Sequence, residues 1–464
     1  VPLGRTWQVV AGSAAIGVLA AAGAVAAAGP WQGGQRTAER SFAAARDAAR
    51  DATRHPASHR PAGTAAAAPP AAAPVLAPAA AGGGTPPSAA AERARLDPLL
   101  TAYGMGTVTT GVVLDAATGR VLYDHHDGLA TTPASTTKLA TATAALGLLG
   151  PDARLTTTAV ATGAGGATRV VLVGGGDPTL RLDGLAADTA AALKARGTTT
   201  VRLGYDTSLY TGPLLHPIGR NENLAPLTPL MEDEGRLDGS TSGPAPREED
   251  PAASAAADFA ALLGRHGITV DGSAGPADGK GGTVLARHRS APLSDLVEQM
   301  LTNSDNDLAE ALARQVALAS GRPASFAGGA AAIRAALTRY GVPLPQASFH
   351  DGSGLDHRDA LAPLTLARLL ALAASPDHPE LRPILSGIPV AGFTGTLSTR
   401  FLGAEDAGLI RAKTGTLTGT NTIAGTTETA SGRLLVFAFM TQGTSLPDAA
   451  EAALDHLAEA VATP

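Results

Sequence analysis

Strand-like runs lie in two stretches far apart along the chain, and this limits the folds open to it more than any other feature. Residues 110–124 read as two strands around a turn at 116–119, since a two-residue period lines one face of a half-buried strand. Near the other end, 408–412, 423–427 and 434–441 read as further strands, with Asn421 and Gly432 marking turns. Helical patterns lie between, at 133–149, 293–299, 307–318 and 364–374, and a last one at 448–460 closes the chain. Strands from both ends with helices between them point to one antiparallel sheet completed by the two chain ends, an α+β arrangement.

With 464 residues, 44% of them hydrophobic, the chain is long enough for two domains. Residues 151–287 differ from their surroundings: short strands such as 169–173, Gly-rich turns and a Pro-rich stretch at 243–251 read as an inserted smaller domain. The flanking 95–150 and 288–464 then form the main body. Residues 31–94 are low in complexity, with Ala/Pro tracts and a Gly82-Gly83-Gly84 cluster, so they read as a disordered linker that cannot offset its ordering entropy.

Before the linker, residues 1–30 hold an uncharged apolar run at 8–29, long enough to span a bilayer as a helix. Ala26, Ala27 and Ala28 leave a cleaved signal open, while the length of the run favours an anchor. Either implies an extracytoplasmic, cell-envelope location. Arg36, Arg40, Arg46 and Arg50 follow the run, and the positive-inside rule alone would keep them in the cytoplasm. The expectation of export therefore leans on function. A formal charge of −6 without a dense basic run argues against nucleic acid as a partner. No cysteine is present, which excludes disulfides and thiolate metal sites.

Three short segments carry candidate chemistry. Ser135-Thr136-Thr137-Lys138 opens the first helical pattern, and residues three apart on a helix share a face, so hydroxyl and amine can meet. A lysine whose proton affinity is lowered by desolvation can serve as the base that a serine nucleophile needs. Ser304-Asp305-Asn306 lies in a short loop between two helical patterns. There a second hydroxyl can pass a proton to a leaving amine, and an amide can bind substrate and lysine together; the same residue types are also favoured helix caps. Lys413-Thr414-Gly415-Thr416 ends a strand-like run, setting a cation, two hydroxyls and a small residue along a sheet edge fit to receive a carboxylate. Lys138, Lys194, Lys280 and Lys413 are the only lysines in a chain that otherwise uses Arg, and two of them sit in these segments. Arginine cannot give up its proton to act as a base.

S-x-x-K, S-D-N and K-T-G in this order are the signature of serine penicillin-recognising enzymes. From about residue 96 onward the chain resembles the D-alanyl-D-alanine carboxypeptidase/endopeptidase family typified by penicillin-binding protein 4 (peptidase family S13). The residues that carry this are Gly174-Gly175-Gly176-Asp177-Pro178-Thr179-Leu180, Asp351-Gly352-Ser353-Gly354-Leu355, Gly395-Thr396-Leu397 with Arg400, and the block at 412–417. The resemblance implies a penicillin-binding-protein/serine β-lactamase-like transpeptidase fold, an antiparallel sheet flanked by helices, with an inserted domain. It implies Ser135 as nucleophile, Lys138 as its base and Ser304 as proton relay. Asn306 would hold the substrate amide, Lys413, Thr414, Gly415 and Thr416 would receive the terminal carboxylate, and the N–H groups of Ser135 and Thr416 would form the oxyanion hole. The expected activity is removal of the terminal D-alanine of peptidoglycan stem peptides, with β-lactams as covalent inhibitors. No metal or organic cofactor is implied. The chain departs from the family after Leu355, where Asp356-His357-Arg358-Asp359 replaces the usual Ser and later Asn, and its insertion is short.

Other groups support ordinary readings. His125-His126, His350 and His357 lack an acidic or cysteine partner pattern for a metal. Gly174 to Gly176 lack the Gly-Lys-Ser/Thr of a phosphate loop and read as a tight turn. Two competing functions are a β-lactamase, for which no Glu-x-x-Leu-Asn segment is found, and a non-catalytic wall-binding scaffold.

Overall fold

The computed structural model describes residues 88–163, 168–405, 407–429 and 431–462. The apolar segment at 1–30 and the linker up to residue 87 lie outside the described residues. No helix among the described residues is long and apolar enough to cross a membrane.

Helix α1 (Ala89–Leu100) starts inside the stretch expected to be linker. Ser88 Oγ accepts from Ala91 N at 3.2 Å and caps it, while Glu92 and Leu96 are buried, so residues 89–94 belong to the fold. Strands β1 (Val108–Asp115) and β2 (Val121–His125) form the expected hairpin. The helix expected from residue 133 begins with a tight 3-10 turn, Ala134–Thr137, before α2 (Lys138–Leu149).

Next come β3 (Thr156–Thr162), β4 (Arg169–Val173), β5 (Asp177–Leu180), α3 (Leu182–Lys194), β6 (Thr200–Asp206) and β7 (Leu230–Glu232), followed by α4 (Pro251–Arg265), β8 (Thr269–Val270), β9 (Gly275–Pro276) and β10 (Thr283–Arg289). They build a second sheet in the order β10-β3-β4-β6-β8, with β9 also on β6 and a separate β5-β7 pair. Val170, Leu172, Leu185, Phe259 and Leu263 share one apolar cluster beneath α3 and α4.

The chain then returns through α5 (Leu293–Asn303), α6 (Asn306–Ala319), α7 (Phe326–Arg339), α8 (Pro363–Ala374) and α9 (Pro383–Gly387) to β11 (Arg411–Leu417), β12 (Thr420–Glu428), β13 (Leu434–Gln442) and α10 (Pro447–Ala462). Helix α7 is absent from the sequence expectations. Gly328 and Gly329 weaken its pattern, yet a Cβ on Gly329 would lie 3.1 Å from Ala313, so glycine lets α7 pack closely on α6. Asn421, expected in a turn, is paired with Thr416 inside the β11-β12 ladder. Gly419, at φ +75°, makes the turn instead.

The main sheet runs β11-β12-β13-β1-β2, antiparallel throughout, so the two ends of the described fold meet where β1 pairs with β13. The two-residue period sends Val112, Leu114, Val436 and Met440 into one core with Leu139 of α2 and Leu312 of α6. Val113, Phe437 and Phe439 go to the opposite core with Leu96 of α1 and Leu457 of α10. Both faces are covered, which is why β13 is apolar at consecutive positions. Each such side chain contributes about 1.5–3 kcal/mol by leaving water. Strand β11 is left at the edge, beside the turn that carries Ser135.

Candidate active site

Ser135 sits in the tight turn before α2, next to Ala134, whose φ of 48° is left-handed. Lys138, first residue of α2, is wholly buried. Its Nζ donates to Ser135 Oγ at 2.9 Å, Asn306 Oδ1 at 2.7 Å and Ser353 O at 2.8 Å. Burial pushes the amine down to about 8, against an upward pull from Asp351, Asp305, Glu310 and Asp307. A desolvated ammonium is disfavoured, and the neutral form has a lone pair to receive a proton.

Ser353 O belongs to the Asp-Gly-Ser-Gly-Leu loop. Gly354, at φ +83°, brings this loop so close to Ala134 O that no Cβ fits, and Thr141 Oγ1 donates to Gly352 O at 2.6 Å. The loop is therefore docked on the turn and helix that carry Ser135 and Lys138.

Ser304 ends α5 in the left-handed region, φ 59° and ψ 37°, and Asp305 caps α6 by accepting from Leu308 N at 2.9 Å. This corner turns Ser304 toward β11 and Asn306 toward α2. Lys413 Nζ donates to Ser304 Oγ at 2.9 Å and to Thr414 O at 2.6 Å. Asn306 Nδ2 donates to Asn223 O at 3.0 Å, which leaves its second amide hydrogen for a ligand. Capping and chemistry thus share one triplet. Lys413 is also wholly buried, and its amine lies well below the usual lysine range, first through burial, then through Lys138 and Arg400. The cation expected from the sequence at Lys413 is therefore weakened.

Along β11, a Cβ on Gly415 would lie 2.7 Å from Pro133 O and 2.9 Å from Ser135 N. Only glycine lets the strand pass the serine turn this closely. Thr414 Oγ1 meets Thr396 Oγ1 at 3.0 Å, and Thr416 Oγ1 donates to Glu451 Oε1 at 3.1 Å. Arg400 is held by Asp455 Oδ1 at 2.5 Å.

Ser135, Ser304, Asn306, Thr414 and Thr416 line one cleft of about 380 Å³, with Lys138 and Lys413 buried behind the two serines and Gly415 at the back of β11. The structure thus brings together all eight candidate residues. Arg236, Arg247, Asn223 and Glu451 line the same cleft and were not singled out in the sequence, because no spacing connects them to the three segments.

His125 and His126 stack edge to face, His125 Nε2 meets Thr109 Oγ1 at 3.4 Å, and His350 Nε2 meets Ser348 Oγ at 2.9 Å. Carboxylates do cluster at one wall of the cleft. Glu234 beside Asp305 and Asp307 is pushed up to about 10 by burial and then by Asp305, which favours its protonated form. Arg236 Nε donates to Glu234 at 2.8 Å and Arg247 pairs with Asp307 at 3.0 Å. Guanidinium groups therefore face this cluster.

Comparison with known proteins bears on this constellation. The chain is 40% identical over 352 residues to carboxypeptidase DacB of Mycolicibacterium smegmatis, covering 71% of this chain and 75% of that one. It is 29% identical, covering 79% of this chain and 85% of the other, to a D-alanyl-D-alanine carboxypeptidase of an Actinomadura species. In fold it is similar to the crystal structure of penicillin binding protein 4 from Haemophilus influenzae, with a TM-score of 0.67 and 24% identity over 78% of this chain and 97% of that one. The penicillin-binding-protein fold expected from the sequence is the fold observed. Residues 92–237 and 237–461 match the D-Ala-D-Ala carboxypeptidase 3 (S13) family, and the chain belongs to that family, as a member of the penicillin-binding protein 4 type.

Proposed function

We propose that the chain is a serine-type D-Ala-D-Ala carboxypeptidase that removes the terminal D-alanine of peptidoglycan stem peptides through an acyl-enzyme on Ser135. The observation that carries this reading is the buried Lys138 amine 2.9 Å from Ser135 Oγ. Held at about 8, it is a base near neutral pH, where general-base catalysis works best.

Ser135 Oγ attacks the carbonyl of the penultimate D-alanine while its proton passes to Lys138 Nζ. The N–H groups of Ser135 and Thr416 receive the charge that develops on the carbonyl oxygen. Ser304, backed by Lys413, gives a proton to the departing amine as the peptide bond breaks. Thr414, joined by Thr416 once its hydroxyl turns from Glu451 to the ligand, holds the terminal carboxylate with Lys413 and Arg400 behind, and ligand charge there favours protonation of Lys413. Asn306 spends one end of its amide on Lys138 and offers the other to the substrate. Water then releases the shortened peptide. The same acylation opens cross-links between stem peptides, so the proposal extends to an endopeptidase step. Since the substrate lies outside the cytoplasmic membrane, the proposal places the enzyme at the cell envelope, exported or anchored by the segment at 8–29.

β-Lactams acylate the same oxygen in this reading. Intact-protein mass spectrometry after penicillin treatment is expected to show a long-lived adduct that Ser135→Ala abolishes, and free D-alanine is expected from a pentapeptide. Rapid turnover of a chromogenic cephalosporin would show a β-lactamase instead. No adduct on the wild type would favour a wall-binding scaffold.

A further inference from the structure

Lys138 is aimed partly by a carbonyl, and the loop that supplies that carbonyl is shaped by groups that take no part in the steps above. Residues 351–356 curl around Asp351, whose carboxylate accepts from Gly354 N at 2.6 Å and Asp356 N at 2.7 Å. From α6, Glu310 Oε1 accepts from Gly352 N at 3.0 Å and Ser353 N at 2.9 Å. These bonds fix the Ser353 peptide whose oxygen Lys138 uses. A buried carboxylate such as Asp351 persists as an anion only when it is met by donors. On one side stands Asp359, pushed up to about 10 by burial and then by Asp351, which favours a protonated form able to donate to it.

On the other side stands His216. Its Nε2 lies 2.9 Å from Asp351 Oδ2, and the two side chains are 1% and 0% exposed. His216 comes from the segment between β6 and β7, distant in sequence from the loop. Ile218 N donates to its Nδ1 at 3.3 Å, so Nδ1 accepts and Nε2 carries the hydrogen that Asp351 receives. Phe326 meets the ring edge to face at 5.1 Å, and Arg314 lies over Phe326 at 4.2 Å. The charged and titratable groups around the imidazole are Asp351 and Asp359 from the loop, Glu310 and Arg314 from α6, Tyr210 from its own segment, under Arg314, and Lys138 beyond the loop. The donor atoms of His216, Glu310 and Asp351 fall within 4.8 Å of one another; Glu310 Oε1 and both Asp351 oxygens are taken by backbone N–H groups and by His216, and Glu310 Oε2 lies 3.6 Å from Arg314 Nη1.

We propose that His216 is a positioning residue for the catalytic base: its Nε2–H steadies Asp351, and through residues 351–356 it keeps the Ser353 carbonyl and the local field set for Lys138. The inference rests on the reading of Ser135 and Lys138 as nucleophile and base. Gly354 N and Asp356 N still donate to Asp351 when this donor is removed, so Asp351 stays an anion and its charge is less screened toward Lys138. Asp351 is the foremost anion raising that amine's proton affinity, so Lys138 then holds its proton more tightly.

The test is the second-order rate of acylation by a fluorescent penicillin, followed from about pH 6 to about pH 10. His216→Leu keeps the bulk against Phe326 but has no donor. It is expected to react roughly 10- to 100-fold more slowly at neutral pH, with the acid limb of the profile moved to higher pH. His216→Gln restores an N–H donor and is expected to recover most of both losses. Should His216→Leu not fold, His216→Asn, whose amide stops short of Asp351, takes its place under the same outcomes. A folded variant without the donor that keeps the wild-type rate and limb overturns the proposal. So does a slower rate with an unmoved limb that glutamine does not rescue, since that is what a purely structural residue would give. An adduct that survives Ser135→Ala sinks the nucleophile reading itself, whatever the His216 variants do.

Discussion

The second sheet and the cleft edge of the main sheet are built to opposite rules. Where the second sheet packs on α3 and α4 its interior is apolar, with Leu172, Leu185 and Phe259 in contact. Its buried carboxylate Asp206 is quieted locally, accepting from Gly279 N at 2.9 Å and Ser208 N at 2.8 Å. Along the cleft the fold instead buries two lysines, with Asp307, Glu310 and Asp351 nearby. Burial of apolar groups stabilises a fold, whereas burial of ionisable groups costs free energy and moves their proton affinities. The difference teaches that proton affinity at the cleft is set by the same desolvation that makes an ordinary core stable, applied to lysine instead of leucine.

The strongest way to break this comparison is Lys138→Arg, which keeps a cation of similar reach but one that cannot act as a base. Acylation by penicillin is expected to fall roughly 100- to 10,000-fold, measured by the rate of adduct formation. In the wild type the proposed mechanism has that rate climb as pH rises toward about 8 and level off above it, because it needs the unprotonated amine as base. A near-normal rate in Lys138→Arg would show that the buried amine is structural. Gly415→Ala comes next. A Cβ there would press on Pro133 O and Ser135 N, and the displaced serine turn is expected to slow acylation about 100-fold, with a stability loss of about 1–3 kcal/mol from the overpacking. The smallest effect on chemistry belongs to Phe259→Ala in the second sheet. It is expected to cost about 3–5 kcal/mol of stability in denaturant titration while the folded protein acylates at the wild-type rate. A changed rate would mean that the two regions are not energetically separable.

What could be read in the sequence was local. The hairpin at the start of the main sheet shows a two-residue period, the closing strands are runs rich in apolar and β-branched residues, and Ser135 with Lys138 is a contact within one helical turn. What escaped was made by tertiary approach: Asn223 O on Asn306, His216 on Asp351, and Glu451 on Thr416. A backbone carbonyl leaves no trace in residue type, so the Asn223 contact has no sequence signal. His216 had one faint signal, a lone histidine amid Leu214, Leu215 and Ile218. Asn421 misled because asparagine is common in turns, whereas here Gly419 supplied the positive φ and Asn421 Nδ2 reached Glu451 at 3.4 Å.

The left-handed backbone at Ala134 and Ser304 has a consequence for the history of the chain. Each is a non-glycine residue in a conformation that costs about 1–2 kcal/mol, and each flanks or carries a serine of the cleft. Heat tolerance would improve by relaxing those turns, and wall trimming would suffer for it. Selection for durability and selection for reactivity therefore pull on the same two corners in opposite directions.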